Sequence, residues 1–158
     1  MNELSFNIKT TEDFFKKLIE EFNEFQTDRT STRVALNCAM TAWHLTDWVY
    51  NEFNGQLISQ FRTLASYQQE LKQQCPSLQI MHDLTNGTKH YFLTRHRPVI
   101  KETKLHKGSF SSDFSRDFDI STLDIELNDG TKIYFEDEIE NAISFWKNYL
   151  QSTFSITI

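Results

Sequence analysis

His44 and Asp47 stand three residues apart in "NCAMTAWHLTDWVYNEF" (Asn37 to Phe53), and Asp83, Asn86 and His90 follow in "QIMHDLTNGTKH". An imidazole takes and gives protons near neutral pH, a carboxylate orients it or holds a cation, and a carboxamide offers both donor and acceptor. Helical spacing lets His44 and Asp47 converge on one point. If the second polar row faces the first, all five residues meet as catalytic candidates between two helices. A neutral imidazole there can draw a proton from a ribose hydroxyl while cationic or amide groups stabilise the developing phosphorane. His90 and His44 are then the acid–base pair, and Arg33, Lys89, Arg95 and Arg97 are the residues expected to bind substrate, with Asn86 as further support.

The residues after His90 fit an anionic substrate. Between Lys89 and Lys107 the chain carries Lys89, Arg95, Arg97, Lys101, Lys104 and Lys107, with His90, His96 and His106 among them and only Glu102 opposed. This local excess can attract phosphate, and Tyr91 or Phe92 can offer a stacking face for a base. The same composition also suits a solvated connector between helices and sheet.

Two other uses of these residues are open. His44, Asp47, Asp83 and His90 supply two imidazoles and two carboxylates, a donor set adequate for zinc or a redox metal. The spacings H-x-x-D and D-x(6)-H match no metal signature, so neither a metal nor a cofactor is assigned. Buried carboxylates and imidazoles also satisfy one another without chemistry, which leaves a non-catalytic interaction or structural module. For that role the alternating tail "FSITI" (Phe154 to Ile158) is a candidate added strand on a partner's sheet, or an edge strand of its own sheet. No glycine-rich phosphate loop, serine nucleophile elbow or zinc-knuckle spacing occurs, and "DLTNGTKH" lacks the acidic ligands of a calcium loop.

The elements that must carry these side chains follow from periodicity. "TTEDFFKKLIEEFNEFQ" repeats apolar residues at three and four behind a capping start, and "DRTSTR" supplies hydroxyl caps for a second helix from about Thr32 to Phe53, stopped by Asn54-Gly55. A third helix is expected through "QLISQFRTLASYQQELKQQ", and a fourth from about Leu78 to Thr94. Gly87 inside it costs about 1 kcal/mol relative to alanine, a cost explained if a backbone or ligand comes close. After Arg97-Pro98 the period changes. "STLDIELNDGTKIYFED" alternates around Asp129-Gly130 as a hairpin does, a preceding strand or two belongs within 99–118 where Phe110, Phe114 and Phe118 offer anchors, and "DEIENAISFWKNYLQ" returns to helical spacing.

The expected fold class is therefore α+β: a four-helix bundle over residues 10–94, antiparallel strands over 99–136 and a closing helix over 137–151, all in one domain of 158 residues. Hydrophobic residues at 39% suffice for a core, and a net charge of −6 argues against wholesale coating of nucleic acid or anionic membrane. No stretch approaches the roughly 18–20 apolar residues of a membrane span, and the N-terminal residues lack the order of a secretory signal. Cys38 and Cys75 read as two reduced thiols of a cytoplasmic protein.

"TAWHLTDWVYNEF" followed by "DLTNGTKHYFL" resembles a bacterial and prophage protein family that pairs an Ala-Trp-His-x-x-Asp-Trp helix with an Asn-Gly-x-Lys-His segment. The resemblance covers roughly Arg33 to Leu93, and the helical part is similar to HEPN bundles of defence and toxin–antitoxin systems. Members of that class are often ribonucleases, so the resemblance implies RNA as substrate and a homodimer with a composite site between subunits; a metal-independent ribonuclease is the leading enzymatic reading of the residues themselves. HEPN nucleases carry an arginine followed after four to six residues by a histidine; Arg62, Arg95 and Arg97 lack that spacing, and Asn86 to His90 stands where a substitute would be.

Overall fold

The computed structural model describes residues 4–93 and 95–158. The start of the segment read for a secretory signal, and the expected end of the fourth helix at Thr94, lie outside the described residues. The fold is α+β, with helices gathered ahead of a three-stranded antiparallel sheet and a long closing helix.

The helix α1 (Thr11–Thr27) starts at a capping box: Thr10 accepts from the Asp13 amide while the Asp13 carboxylate accepts from the Thr10 amide. Its buried side, with Phe15, Leu18 and Phe25, lies against α2 (Thr32–Glu52), whose first turn is capped by Ser31. Buried residues go most of the way round α2, as its sequence demands, because α1, α5 and α6 all pack on it.

The expected third helix is two pieces. A single turn, α3 (Asn54–Leu57), is followed by a turn, and α4 (Leu64–Gln74) begins afresh. Thr63 and Ser66 exchange side-chain-to-backbone hydrogen bonds that start a helix at Leu64, and Tyr50 Oη donates to the Phe61 carbonyl, pinning the break to α2. Asn54-Gly55 does not adopt positive φ; it opens α3 instead, and among the described glycines Gly130 alone has that conformation.

The helix α5 (Ser77–Lys89) ends earlier than expected, because His90 turns to extended backbone. Apart from the surrounding turns of α5 itself, a Cβ at Gly87 would meet nothing within 4 Å among the described residues, so close packing against another of these elements does not account for the glycine. The strand β1 (Ile100–His106) pairs with β2 (Thr122–Leu127), which pairs with β3 (Lys132–Tyr134), all antiparallel. The β2–β3 hairpin turns at Asp129-Gly130 as the sequence indicated, with Gly130 at φ 86° and Asp129 Oδ1 accepting from the Thr131 amide.

The connection from β1 to β2 departs from expectation. Phe110, Phe114 and Phe118 anchor no strand; they are about half exposed and pack on one another with centroids 5.2–5.7 Å apart. The repeated tetrad Phe-Ser-x-Asp makes two successive turns, in which Ser111 and Ser115 each bond the residue two positions on. Gly108 is required beneath them, since a Cβ there would lie 2.1 Å from the Asp119 carbonyl oxygen.

The closing helix α6 (Phe135–Phe154) carries Glu136, Asp137 and Glu138 in its first turn, where the helix dipole favours negative charge. Its completely buried Trp146 donates from Nε1 to the Ala42 carbonyl of α2 at 2.9 Å. Ser155 ends α6 in the left-handed conformation and turns the tail back, so Ile156 and Ile158 rest against the core and the tail forms no strand. One continuous core takes in all these layers, including Cys38 and Cys75, both buried and unpaired. Among the described residues no helix is long and apolar enough to cross a membrane.

Candidate functional site

Pairs four residues apart on α5 define two polar lines. Gln79 and Asp83 form one, with Gln79 Nε2 donating to Asp83 Oδ1 at 2.7 Å; His82 and Asn86 form the other, with His82 Nε2 and Asn86 Nδ2 2.8 Å apart. The two lines adjoin, and round the rest of its circumference the helix buries Leu78, Ile80 and Met81.

Asp83 is 4% exposed, and a carboxylate so placed must be satisfied on both oxygens. Oδ1 accepts from Gln79 and from His96 Nε2 at 2.6 Å; Oδ2 accepts from the backbone amides of Val99 (2.7 Å) and Ile100 (3.2 Å). One side chain thus fastens α5 to the segment that enters β1. It also fixes His96: with Nε2–H committed to the carboxylate, the neutral ring keeps its lone pair on Nδ1, which has no hydrogen-bond partner among the described residues.

His82 is held differently. Trp43 of α2 stacks on its ring at 4.1 Å, Lys72 of α4 brings Nζ to 2.7 Å from Nδ1, and the His96 ring stands 4.4 Å away, centroid to centroid. The Lys72 ammonium also lies over Trp43 at 5.0 Å. Burial, then the Lys72 charge, then His96 push the His82 pKa down to about 4, so the ring is neutral at pH 7. Burial also lowers the pKa of Lys72, against the opposing pull of Asp83.

Beside this network opens a cavity of about 480 Å3 lined by Asn86, His90, Leu93, Arg95 and His96. Tyr91 and Phe92, 94% and 77% exposed, stand edge to face in the same short segment.

The sequence-derived candidates divide accordingly. Asn86, His90 and Arg95 gather at the cavity, and Asp83 stands behind it through His96. α2 and α5 do pack together, but α2 presents Trp43 to α5 where His44 was expected. His44 and Asp47 are exposed, and Arg33 is exposed and paired with Glu24 of α1 at 2.6 Å. Partial desolvation lowers the His44 pKa; Asp47 opposes it, and Lys17 and Lys89 add to it, which leaves Lys89 as the point where the α5 end influences the α2 row. Lys89 and Arg97 are exposed. The residues that sequence reasoning misses are His82, Lys72 and above all His96, which in the sequence is only one member of a basic stretch.

The cluster also bears on metal binding. His82, Asp83 and His96 each bring one potential ligand atom within 4.8 Å of the others. The donor set does not fit a cation well: both Asp83 oxygens already accept two hydrogen bonds each, and an ammonium sits on His82 Nδ1. The quartet expected from sequence is not assembled either, since His44 and Asp47 lie outside this cluster. The arrangement is suited to orienting imidazoles and moving protons. No family model, curated protein or solved structure matches this chain.

Proposed function

We propose that this protein binds single-stranded RNA at the cavity between Asn86 and His96 and cleaves it without a metal ion. The observation that carries the proposal is the buried Asp83 carboxylate holding His96 by Nε2 on the wall of a cavity that also contains His90 and Arg95. A buried carboxylate that orients an imidazole leaves the other ring nitrogen as a positioned base.

In this reading His96 Nδ1 takes the proton of a ribose 2′-hydroxyl, whose oxygen attacks the adjacent phosphorus. Arg95 and Asn86 meet the charge that builds on the phosphoryl oxygens. His90, in its protonated form, gives a proton to the departing 5′-oxygen, leaving a 2′,3′-cyclic phosphate and a 5′-hydroxyl. Tyr91 and Phe92 supply stacking faces, and the exposed Lys89 and Arg97 add attraction for the backbone. The HEPN-like resemblance of residues 33–93 supports the same substrate class and a homodimeric working unit, and the unpaired cysteines suit the cytoplasm.

The test is cleavage of fluorescent single-stranded RNAs in excess chelator, with the cyclic phosphate identified at the new end. His96→Ala should reduce the rate by about 100-fold or more, the usual scale for loss of a general base. Absence of both cleavage and RNA binding across varied sequences would refute the proposal; binding without cleavage would reduce it to an RNA-binding role.

A further inference from the structure

Lys72 and His82 have no part in the proposed cleavage, yet their contacts constrain a residue that does. A lysine ammonium donates three hydrogens and accepts none, so the 2.7 Å contact from Lys72 Nζ requires the lone pair of the His82 ring to be on Nδ1. A neutral imidazole has one such lone pair, and its proton is then on Nε2. That nitrogen lies 2.8 Å from the Asn86 amide. With the amide nitrogen turned toward it, the ring would face donors on both sides while having only one acceptor. A half-turn of the amide removes the conflict, since Nε2–H then donates to Asn86 Oδ1.

The consequence reaches the cavity. With its oxygen committed to His82, Asn86 has its NH2 group left over; it makes no other side-chain hydrogen bond among the described residues, and Asn86 lines the cavity with His90, Arg95 and His96. The opposite amide orientation would offer an oxygen there and repel an anion.

We infer that Lys72 is a positioning residue: by donating to His82 Nδ1 it fixes the Nε2–H tautomer, which turns the Asn86 amide to present its NH2 group to the cavity as a donor for a phosphate oxyanion. Trp43 keeps the relay in register, because it stacks on the imidazole and also takes the ammonium on its face. The ligand chemistry is a tetrahedral oxyanion, whether a free phosphate or the phosphodiester of a nucleic acid strand. This inference rests on the proposed RNA site for its setting, and its test does not depend on cleavage.

The experiment is nitrogen-15 NMR of histidine-labelled full-length protein, in which the two imidazole tautomers give distinct patterns of nitrogen shifts and couplings. At pH 7 His82 should show the Nε2–H pattern, Lys72→Arg should retain it, and Lys72→Met should release it into a mixture. Inorganic phosphate and a DNA tetranucleotide, which has no 2′-hydroxyl to react, are then titrated into uniformly nitrogen-15-labelled protein, with binding read at the backbone amides of the cavity residues His90 and Arg95 in every variant and at the Asn86 side-chain NH2 signals where Asn86 is present. At least one should bind, and Lys72→Met should weaken that binding about fivefold or more, while Asn86→Asp should abolish it. Binding of phosphate alone identifies a free oxyanion as ligand, and binding of the tetranucleotide identifies a strand. The Nδ1–H tautomer in the unmodified protein would overturn the inference without any variant having to fold. Failure of both probes to bind, or unchanged affinity in Lys72→Met, would also overturn it. An Nε2–H tautomer and Lys72-dependent phosphate binding in a protein that leaves RNA intact would uphold the relay and remove the nuclease reading alone.

Discussion

The carboxylate of Asp83, inside α5, and the ring of His96, which precedes β1, meet at 2.6 Å, and the same carboxylate also takes the amides of Val99 and Ile100 at the mouth of β1. One side chain therefore serves both the proposed base and the docking of sheet on helix. Asp83→Ala should destabilise the fold by about 3–5 kcal/mol, the range for removing one partner from a buried charged network. Asp83→Asn retains one acceptor oxygen and should cost less, while still leaving a donor facing donors. Urea unfolding of both variants checks the order, and a loss below about 1 kcal/mol for the alanine would show that the network does not join the two layers.

Acid should weaken the fold through His82. Its folded pKa, about 4, is below the ordinary value of 6.5 for histidine, so the unfolded chain binds a proton more readily. Stability contributed by this group is complete above pH 6.5, declines as pH falls toward 4 and levels off below that. The loss is roughly 2–3 kcal/mol, taking 1.36 kcal/mol per pKa unit and allowing for the partial exposure of the ring. His44, whose pKa is also lowered, acts in the same direction. Unfolding free energies measured between pH 7 and 4 should therefore fall more steeply in the natural protein than in His82→Gln; parallel curves would contradict the assignment.

The seam between α2 and α6 depends on Trp146. Trp146→Phe removes the Nε1 donor to Ala42 and part of a completely buried ring, so a loss of about 2–3 kcal/mol is expected from the hydrogen bond and the void together. Chemical denaturation measures it. A loss under about 0.5 kcal/mol would mean that α6 repacks on α2 without the indole.

Gly108→Ala should damage one loop and spare the rest. The new methyl would collide with backbone at Asp119 and Ile120, neither of which can swing aside as a side chain does. The expected cost is about 1–3 kcal/mol, with faster hydrogen exchange at the Phe110 amide, which donates to the Asp119 carbonyl. Exchange that is unchanged there would show that the turns do not depend on this close approach.

The architecture was legible wherever one period ran uninterrupted. α1, α2 and α6 show their apolar spacing plainly, and Asp129-Gly130 marks its hairpin because few other pairs tolerate the turn. α4 was misplaced because a hydroxyl pair, Thr63 and Ser66, restarts a helix inside a run whose apolar spacing never lapses. Phe110, Phe114 and Phe118 recur every fourth residue, yet the serines between them turn the chain twice. Asp83 and Asn86 were found because angle around a helix is readable from sequence. His96 was not, because it reaches Asp83 from a segment without period, nor was His82, which adjoins Asp83 in sequence rather than standing three or four residues from it. Neighbours on a helix point about 100° apart, but partners from α2, α4 and the segment before β1 bring His82 and Asp83 into one cluster.

Burial raises the pKa of both cysteines, to about 12 for Cys38, and both residues are buried in the folded chain, Cys38 completely and Cys75 all but 7%. An alkylating reagent can then advance only as fast as the molecule lets it in. The two thiols amount to a pair of internal clocks, one on α2 and one at the junction of α4 and α5, whose separate rates would reveal whether the helices loosen together or one at a time.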